Sequence, residues 1–134
     1  MTRIDPDKKA LRDQEGPLPL VMNREAAESY YWGDGETRSL AWRLLEGNDL
    51  SVVEEMMPPG AAEQRHSHTF ARQYFYVLEG EAVMRISERD YLLRVGDGIH
   101  VAPKQAHGIR NESQAEVRFL VISAPRAVGD RTPR

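Results

Sequence analysis

Two histidines separated by one residue, His66 and His68, are the first candidates for chemistry in this 134-residue chain. Residues two apart on a β-strand face the same side, so both imidazoles would point the same way and could bind one divalent ion. Two of the four histidines remain, and His107 lies in the polar segment 103–111. We predict that His107 joins the pair, whereas His100 packs or lies at a subunit contact.

Gln73, five residues after His68, is a candidate for a fourth ligand. A hairpin between them would bring its side-chain oxygen back beside the two histidines. Imidazole nitrogen and amide oxygen suit iron, manganese, nickel, zinc or copper. The chain has no cysteine, which excludes a thiolate site. The residues therefore predict a divalent transition metal as cofactor.

The spacing around the two histidines resembles the first sequence motif of the cupin family, G-x5-H-x-H-x(3,4)-E-x6-G. The chain matches this pattern from Gly60 to Gly80, except that Gln73 replaces the glutamate. An amide leaves the charge of the ion uncancelled, which makes the metal a stronger Lewis acid.

The segment around His107 resembles the second cupin motif, G-x5-P-x-G-x2-H-x3-N. Gly96, His107 and Asn111 match, while the proline is one place later, at Pro103, and Lys104 replaces the glycine. The resemblance implies a small cupin: an all-β double-stranded β-helix, or jelly-roll barrel, with a short helical or extended N-terminal arm.

Short runs separated by turn residues support the same fold class, because this pattern is typical of β-sandwiches and barrels. The predicted strands cover residues 38–45, 50–57, 64–68, 73–78, 82–86, 91–95, 99–102, 107–111 and 117–123. Alternation along these runs predicts an apolar substrate pocket on the metal side, lined by Phe75, Val77, Met84 and Ile109.

No catalytic acid or base is identified from the sequence. Glu54 could point inward, but we interpret it as a solvated glutamate beside Glu55. Tyr30, Tyr31 and Trp32 are interpreted as covering one end of the barrel; the alternative is that one of them lines the mouth of the site.

The domain organisation follows from the composition along the chain. Residues 1–22 are expected to form an N-terminal tail or arm, 23–125 one cupin domain, and 126–134 a flexible C-terminal tail. Asn23 is a good N-cap, which predicts a short helix over Arg24 to Ser29. Runs that are apolar on both faces, such as Leu40 to Leu45, predict a homodimer.

The net charge of −3 gives no electrostatic reason to expect nucleic acid or an anionic membrane as a partner. No apolar segment reaches the length of a membrane helix or resembles a signal peptide, so we expect a cytoplasmic protein.

The cupin fold hosts many unrelated functions, so the resemblance does not identify the reaction. We predict a metal-dependent enzyme that acts on a small organic molecule, and dioxygenase-like chemistry is favoured over lyase or isomerase chemistry. The alternative is a non-catalytic cupin that binds or senses a small molecule or a metal.

Overall fold

The computed structural model describes residues 8–12, 21–33, 37–127 and 129–134. These ranges contain twelve β-strands and no α-helix. The strands are β1 (Leu11–Arg12), β2 (Glu28–Trp32), β3 (Ser39–Glu46), β4 (Ser51–Met57), β5 (His66–His68), β6 (Arg72–Glu79), β7 (Ala82–Ile86), β8 (Arg89–Leu93), β9 (Gly98–Val101), β10 (His107–Arg110), β11 (Val117–Ala124) and β12 (Arg131–Pro133).

The strands form two sheets. The larger sheet has the order β1-β3-β4-β11-β6-β9, with β2 paired to residues 39–43 of β3. The smaller sheet has the order β12-β5-β10-β7-β8. All pairs are antiparallel except β1 with β3. This arrangement confirms the predicted all-β jelly-roll. Among the described residues, no helix is long and apolar enough to span a membrane.

Alternating side chains fill the space between the sheets. On β6, Phe75 and Val77 are buried while Tyr74 and Tyr76 point outward, and β11 shows the same alternation. The core cluster consists of Met57, Ala61, Phe75, Val77, Ala82, Met84, Leu93, Val101, Ile109, Val117, Phe119 and Val121. Apolar inward and polar outward residues alternate along such strands, so the inward positions were predictable from the sequence.

The predicted hairpin between the histidine strand and Gln73 is wrong. β5 belongs to the smaller sheet and β6 to the larger, so residues 69–71 cross between the sheets. Asp130 holds this crossing, because its carboxylate accepts hydrogen bonds from the backbone N–H groups of Thr69, Phe70 and Ala71 at 3.1, 2.9 and 2.9 Å. Gln73 consequently faces the histidines across the barrel.

The N-terminal segment is extended where it is described. β1 pairs with β3, and the backbone N–H of Lys9 donates to the carbonyl of Ala26 at 2.8 Å. The predicted helix after Asn23 is wrong: the Asn23 side chain accepts from the N–H of Ala26 at 3.0 Å, but only one turn forms before β2 begins at Glu28. The rest of the predicted arm, residues 1–7 and 13–20, lies outside the described residues.

The C-terminal segment is not the free tail that its composition suggests. Residues 131–133 form β12, which pairs with all three residues of β5. This addition brings Arg131 opposite His68 in the ladder. The C-terminal strand therefore forms part of the wall around the histidines.

Candidate metal centre

Three histidine side chains converge between the sheets. His66 and His68 come from β5, and His107 lies opposite His66 in the neighbouring strand β10. One ring nitrogen of each lies within 4.8 Å of the others, and all three side chains are buried. Ring centroids are 4.3 Å apart for His66 and His107 and 4.9 Å apart for His66 and His68. Such a cluster matches the number and type of ligands of a transition-metal site.

Backbone carbonyls orient two of the rings. Nδ1 of His66 lies 2.8 Å from the carbonyl oxygen of Gln64, and Nδ1 of His107 lies 3.0 Å from that of Gln105. A carbonyl oxygen can only accept, so both Nδ1 atoms carry the proton and donate it. The lone pair of each ring is then on Nε2, the tautomer that a metal requires when the other nitrogen is hydrogen-bonded.

Burial lowers the pKa of all three histidines. The pKa of His66 falls to about 3, because burial disfavours the imidazolium form. The pKa values of His68 and His107 are lowered for the same reason. The rings are therefore neutral near neutral pH, as metal ligation requires.

Two polar groups in the cluster fit a cation. Nδ1 of His68 is buried without a hydrogen-bond partner among the described residues. Oε1 of Gln73 lies 3.0 Å from Nε2 of His107, while its Nε2 donates to Oγ of Ser123 at 3.0 Å. With Nδ1 of His107 protonated, Nε2 of His107 and Oε1 of Gln73 are both acceptors. A cation bound by both atoms would favour this orientation of the Gln73 amide over the flipped one. The residues present thus fit a divalent metal.

A cavity of about 300 Å³ opens beside the histidines, at the small end of the range for ligand pockets. Of the residues predicted to form the substrate pocket, Phe75 lines this cavity. Val77, Met84 and Ile109 also point inward, but they lie in the hydrophobic core and not among the residues that line the cavity. The wall is more polar than predicted, and its charged members are Glu55, Glu63 and Arg131.

The cavity wall carries two carboxyl groups, Glu55 and Glu63, which the sequence did not identify as candidate acids or bases. Burial raises the pKa of Glu55 to about 8, and the nearby carboxylate of Glu63 adds to this effect. Burial also raises the pKa of Glu63 to about 7, although Arg131 opposes it. Both groups can therefore exchange protons near neutral pH.

Glu54 lies on the opposite face of β4 from this cavity. Its carboxylate accepts from Nη1 of Arg118 at 2.7 Å and lies 3.3 Å from Nε of Arg24. Glu54 is buried by these arginines and not solvated, but it does not point inward. Ser51, Val53 and Glu55, which line the cavity, occupy alternate positions and therefore share one face of β4.

The three neighbouring aromatic residues have different surroundings. Tyr30 lines the cavity, and burial, together with the charge of Glu55, raises its pKa to about 12. Tyr31 is exposed beneath the guanidinium of Arg38, and Trp32 packs against the core. The interpretation as an end cover fits Trp32, whereas Tyr30 fits the alternative that one of them lines the site.

The two remaining basic candidates are exposed. His100 lies on the edge strand β9, where it pairs with Tyr74 of β6, away from the histidine cluster. Lys104 has a φ of 71°, a backbone conformation that glycine adopts most easily, and its N–H donates to the carbonyl of His68 at 2.6 Å. The lysine thus keeps the turn that glycine usually makes in the second motif.

Comparisons with known proteins agree with this geometry. The family model "Cupin_2: Cupin domain" matches residues 53–123. Quercetin 2,3-dioxygenase of Bacillus subtilis is 27% identical over 99 residues, which cover 74% of this chain and 29% of that protein. The oxalate-binding protein of Thermotoga maritima is 27% identical over 91 residues, 67% of this chain and 75% of that one.

A solved structure shows the same fold. The crystal structure of an uncharacterized conserved protein with a double-stranded β-helix domain from Klebsiella pneumoniae matches with a TM-score of 0.71 and 22% identity, over 87% of this chain and 97% of that one. The chain spans less than two thirds of the length of three of its curated relatives, at 66%, 29% and 63%.

Proposed function

This chain belongs to the cupin family, and from that premise we propose that it binds a divalent transition metal and acts on a small organic molecule held in the adjoining cavity. The proposed ligands are His66, His68 and His107, with Gln73 as the fourth. The observation that carries the proposal is the convergence of three buried, neutral imidazoles within 4.8 Å.

The protein groups around the proposed metal are suited to proton transfer. A divalent ion held by four neutral ligands keeps its full charge and polarises an oxygen atom bound to it. Glu55 and Glu63 hold or accept protons on the wall of the same cavity, and the hydroxyl of Tyr30 stays protonated and donates. Phe75 and Val121 supply apolar contact surface that orients the ligand.

Among reactions, we favour oxygen-dependent, dioxygenase-like chemistry as the first to test. The similarity to quercetin 2,3-dioxygenase supports it, although that enzyme is much longer than the matched segment. Lyase and isomerase reactions also use proton transfer beside a metal, and the two cavity glutamates serve these reactions equally well. Iron in the purified protein would favour the first class; zinc or manganese would favour the others.

A non-catalytic binding function is the second candidate. It is supported by the similarity to an oxalate-binding protein, of whose length the match covers 75%. In this case the same histidines and cavity would retain a small ligand without converting it. Turnover assays on metal-loaded protein, together with equilibrium binding of the same compounds, separate the two candidates.

We also propose that the protein is a homodimer. The outer face of the larger sheet is rich in apolar and aromatic side chains, and Tyr74 and Tyr76 are 42% and 37% exposed there. Exposed apolar surface of this kind is typical of an interface. Sedimentation equilibrium measures the mass directly, and a monomer at all concentrations contradicts this part of the proposal.

Metal analysis of the ligand variants tests the site. We expect near-stoichiometric metal in the wild-type protein purified without chelators or a polyhistidine tag. His66→Ala and His107→Ala should each abolish binding, because each removes a buried ligand, and Gln73→Ala should weaken it less. His100→Ala is the matched control, since this histidine is exposed on β9. Stoichiometric metal in both ligand variants would show that the histidines are not the site.

A further inference from the structure

One carboxyl group on the cavity wall, that of Glu55, has no bonding partner within the described ranges. Glu55 is partly buried and lines the cavity, and in the part of the chain that the structure describes no hydrogen bond or ion pair engages its carboxyl oxygens. Glu63 differs, because it accepts from the N–H of Ile109 at 3.4 Å and lies 3.9 Å from Nδ1 of His66. Withdrawing a carboxyl group from bulk water without a partner is unfavourable, so Glu55 has bonding capacity left for a ligand.

The groups that face Glu55 determine its protonation. Glu63 raises its pKa and Arg131 on β12 lowers it, while burial is the largest effect and raises it to about 8. Tyr30 on β2 faces the same side, and Arg43 on β3 stacks over the tyrosine ring at 4.1 Å. The residues opposite Glu55 on the flanking strands, Ala41 and Phe119, are uncharged. At neutral pH Glu55 is therefore mostly a neutral carboxylic acid, which can donate a hydrogen bond.

The wall as a whole offers hydrogen-bond donors. The hydroxyl of Tyr30 keeps its proton, because its pKa is raised to about 12. Arg131 uses one N–H group to bind the carbonyl of Gln64 at 3.2 Å, and a guanidinium has five such donors. The metal ligands are all neutral, so they do not cancel the charge of a bound ion. A cavity with these properties is complementary to an anionic oxygen.

Resting on the metal site of the proposed function, we propose that the cavity selects small carboxylates and enolates, and that protonated Glu55 donates a hydrogen bond to the anionic oxygen of the bound ligand. An ionised Glu55 would repel the same anion. Binding therefore requires the proton on Glu55, and the proton is taken from solvent when the glutamate is ionised beforehand.

Cobalt-loaded protein and pyruvate provide a direct test, because pyruvate chelates through two oxygens and its methyl ester is a neutral match. We would measure Kd and proton uptake by calorimetry in two buffers of different ionisation enthalpy, for the wild type and Glu55→Gln. Glutamine mimics the protonated acid, so we expect similar Kd values at about pH 6.5 and roughly tenfold weaker wild-type binding, relative to the variant, at about pH 9. At the higher pH the wild type should take up close to one proton per pyruvate and the variant none.

Two further variants make the result specific. Glu116→Gln removes an exposed glutamate outside the cavity and should follow the wild-type pH profile. Glu55→Asp keeps a titrating group at this position and should restore the pH dependence that Glu55→Gln loses. Equal proton uptake by the wild type and Glu55→Gln would overturn the role of Glu55, and binding of methyl pyruvate as tight as that of pyruvate would overturn the anionic class. Failure of the wild type to bind cobalt would refute the proposed metal site itself.

Discussion

Replacing Glu55 with glutamine should stabilise the metal-free protein at alkaline pH and leave its stability almost unchanged at acid pH. Glutamine has nearly the shape of a protonated glutamate but cannot ionise. The structure places this side chain in a partly buried position with no hydrogen-bond or ion-pair partner among the described residues, and burial raises its pKa from 4.5 to about 8. Its negative charge is therefore unfavourable in the folded protein.

The direction of this change in stability with pH follows from proton linkage. Below the ordinary pKa of 4.5 the glutamate is protonated in the folded and unfolded states, so its charge has no effect on stability. As the pH rises from there to about 8, the unfolded chain ionises first, and the wild-type protein loses stability. Above this range both states are ionised and the loss is complete. The variant does not undergo this loss.

The size of the stability difference depends on how well water in the cavity screens the charge of Glu55. A pKa difference between 4.5 and about 8 corresponds to about 5 kcal/mol. Because the cavity is open to solvent and Glu55 is only partly buried, we expect the variant to gain about 1–3 kcal/mol above pH 8. Neighbouring Glu63 carries a second raised pKa, and it should ionise more easily once the charge of Glu55 is gone.

Urea unfolding of the metal-free proteins across this pH range, followed by fluorescence and far-UV circular dichroism, measures the difference. Glu116→Gln is the control, since it removes an exposed glutamate for which no such gain is expected. The reasoning is refuted if Glu55→Gln is destabilised equally at all pH values, or if its stability difference from the wild type does not grow between acid and alkaline pH.

Two other predictions concern tight connections between strands. Asp130→Ala should lower stability by about 1–3 kcal/mol and weaken metal binding, because three backbone N–H groups at residues 69–71 lose their acceptor; thermal unfolding and cobalt titration check it, and unchanged values for both contradict it. Gly80→Ala should cost at least about 2 kcal/mol, since Gly80 has a φ of 77° and an added Cβ would collide with the carbonyl of Glu116. Gly96→Ala is its control, with a φ of 88° but nothing within 4 Å of the added Cβ; equal losses in the two variants would exclude the collision as a cause.

The histidine cluster was the most predictable part of the molecule. A same-face histidine pair, a second motif at a fixed distance and the period-two pattern are local features, so His66, His68 and His107 could be brought together on paper. The strand bounds of β6, β7 and β11 were also predictable to within one residue, because turn residues flank strongly alternating runs. The carbonyls that orient the imidazoles were not predictable, because any residue type can supply a carbonyl.

Glu55 and β12 show why the remainder was missed. The two adjacent glutamates of β4 differ only in phase, and the sequence contains no local signal that decides which of them faces the cavity. β12 has three residues, Arg131 to Pro133, and no apolar alternation, since all of them are exposed. Its position results from pairing with a strand more than sixty residues earlier, through non-local backbone hydrogen bonds that composition does not encode.

The pairing of β5 makes the C-terminal strand a determinant of affinity for the proposed metal. On one side β5 is joined to β10 through a single registered pair, His107 with His66, whereas on the other side β12 pairs with all three of its residues. Without β12, two ligand-bearing positions would lie on an open sheet edge, which is prone to fraying and to pairing with foreign strands. With β12 in place, Arg131 and Pro133 lie on the edge strand of the smaller sheet and discourage the addition of a further strand. Substitutions in these few exposed residues should therefore loosen the histidines and promote self-association, although none of them is a proposed metal ligand.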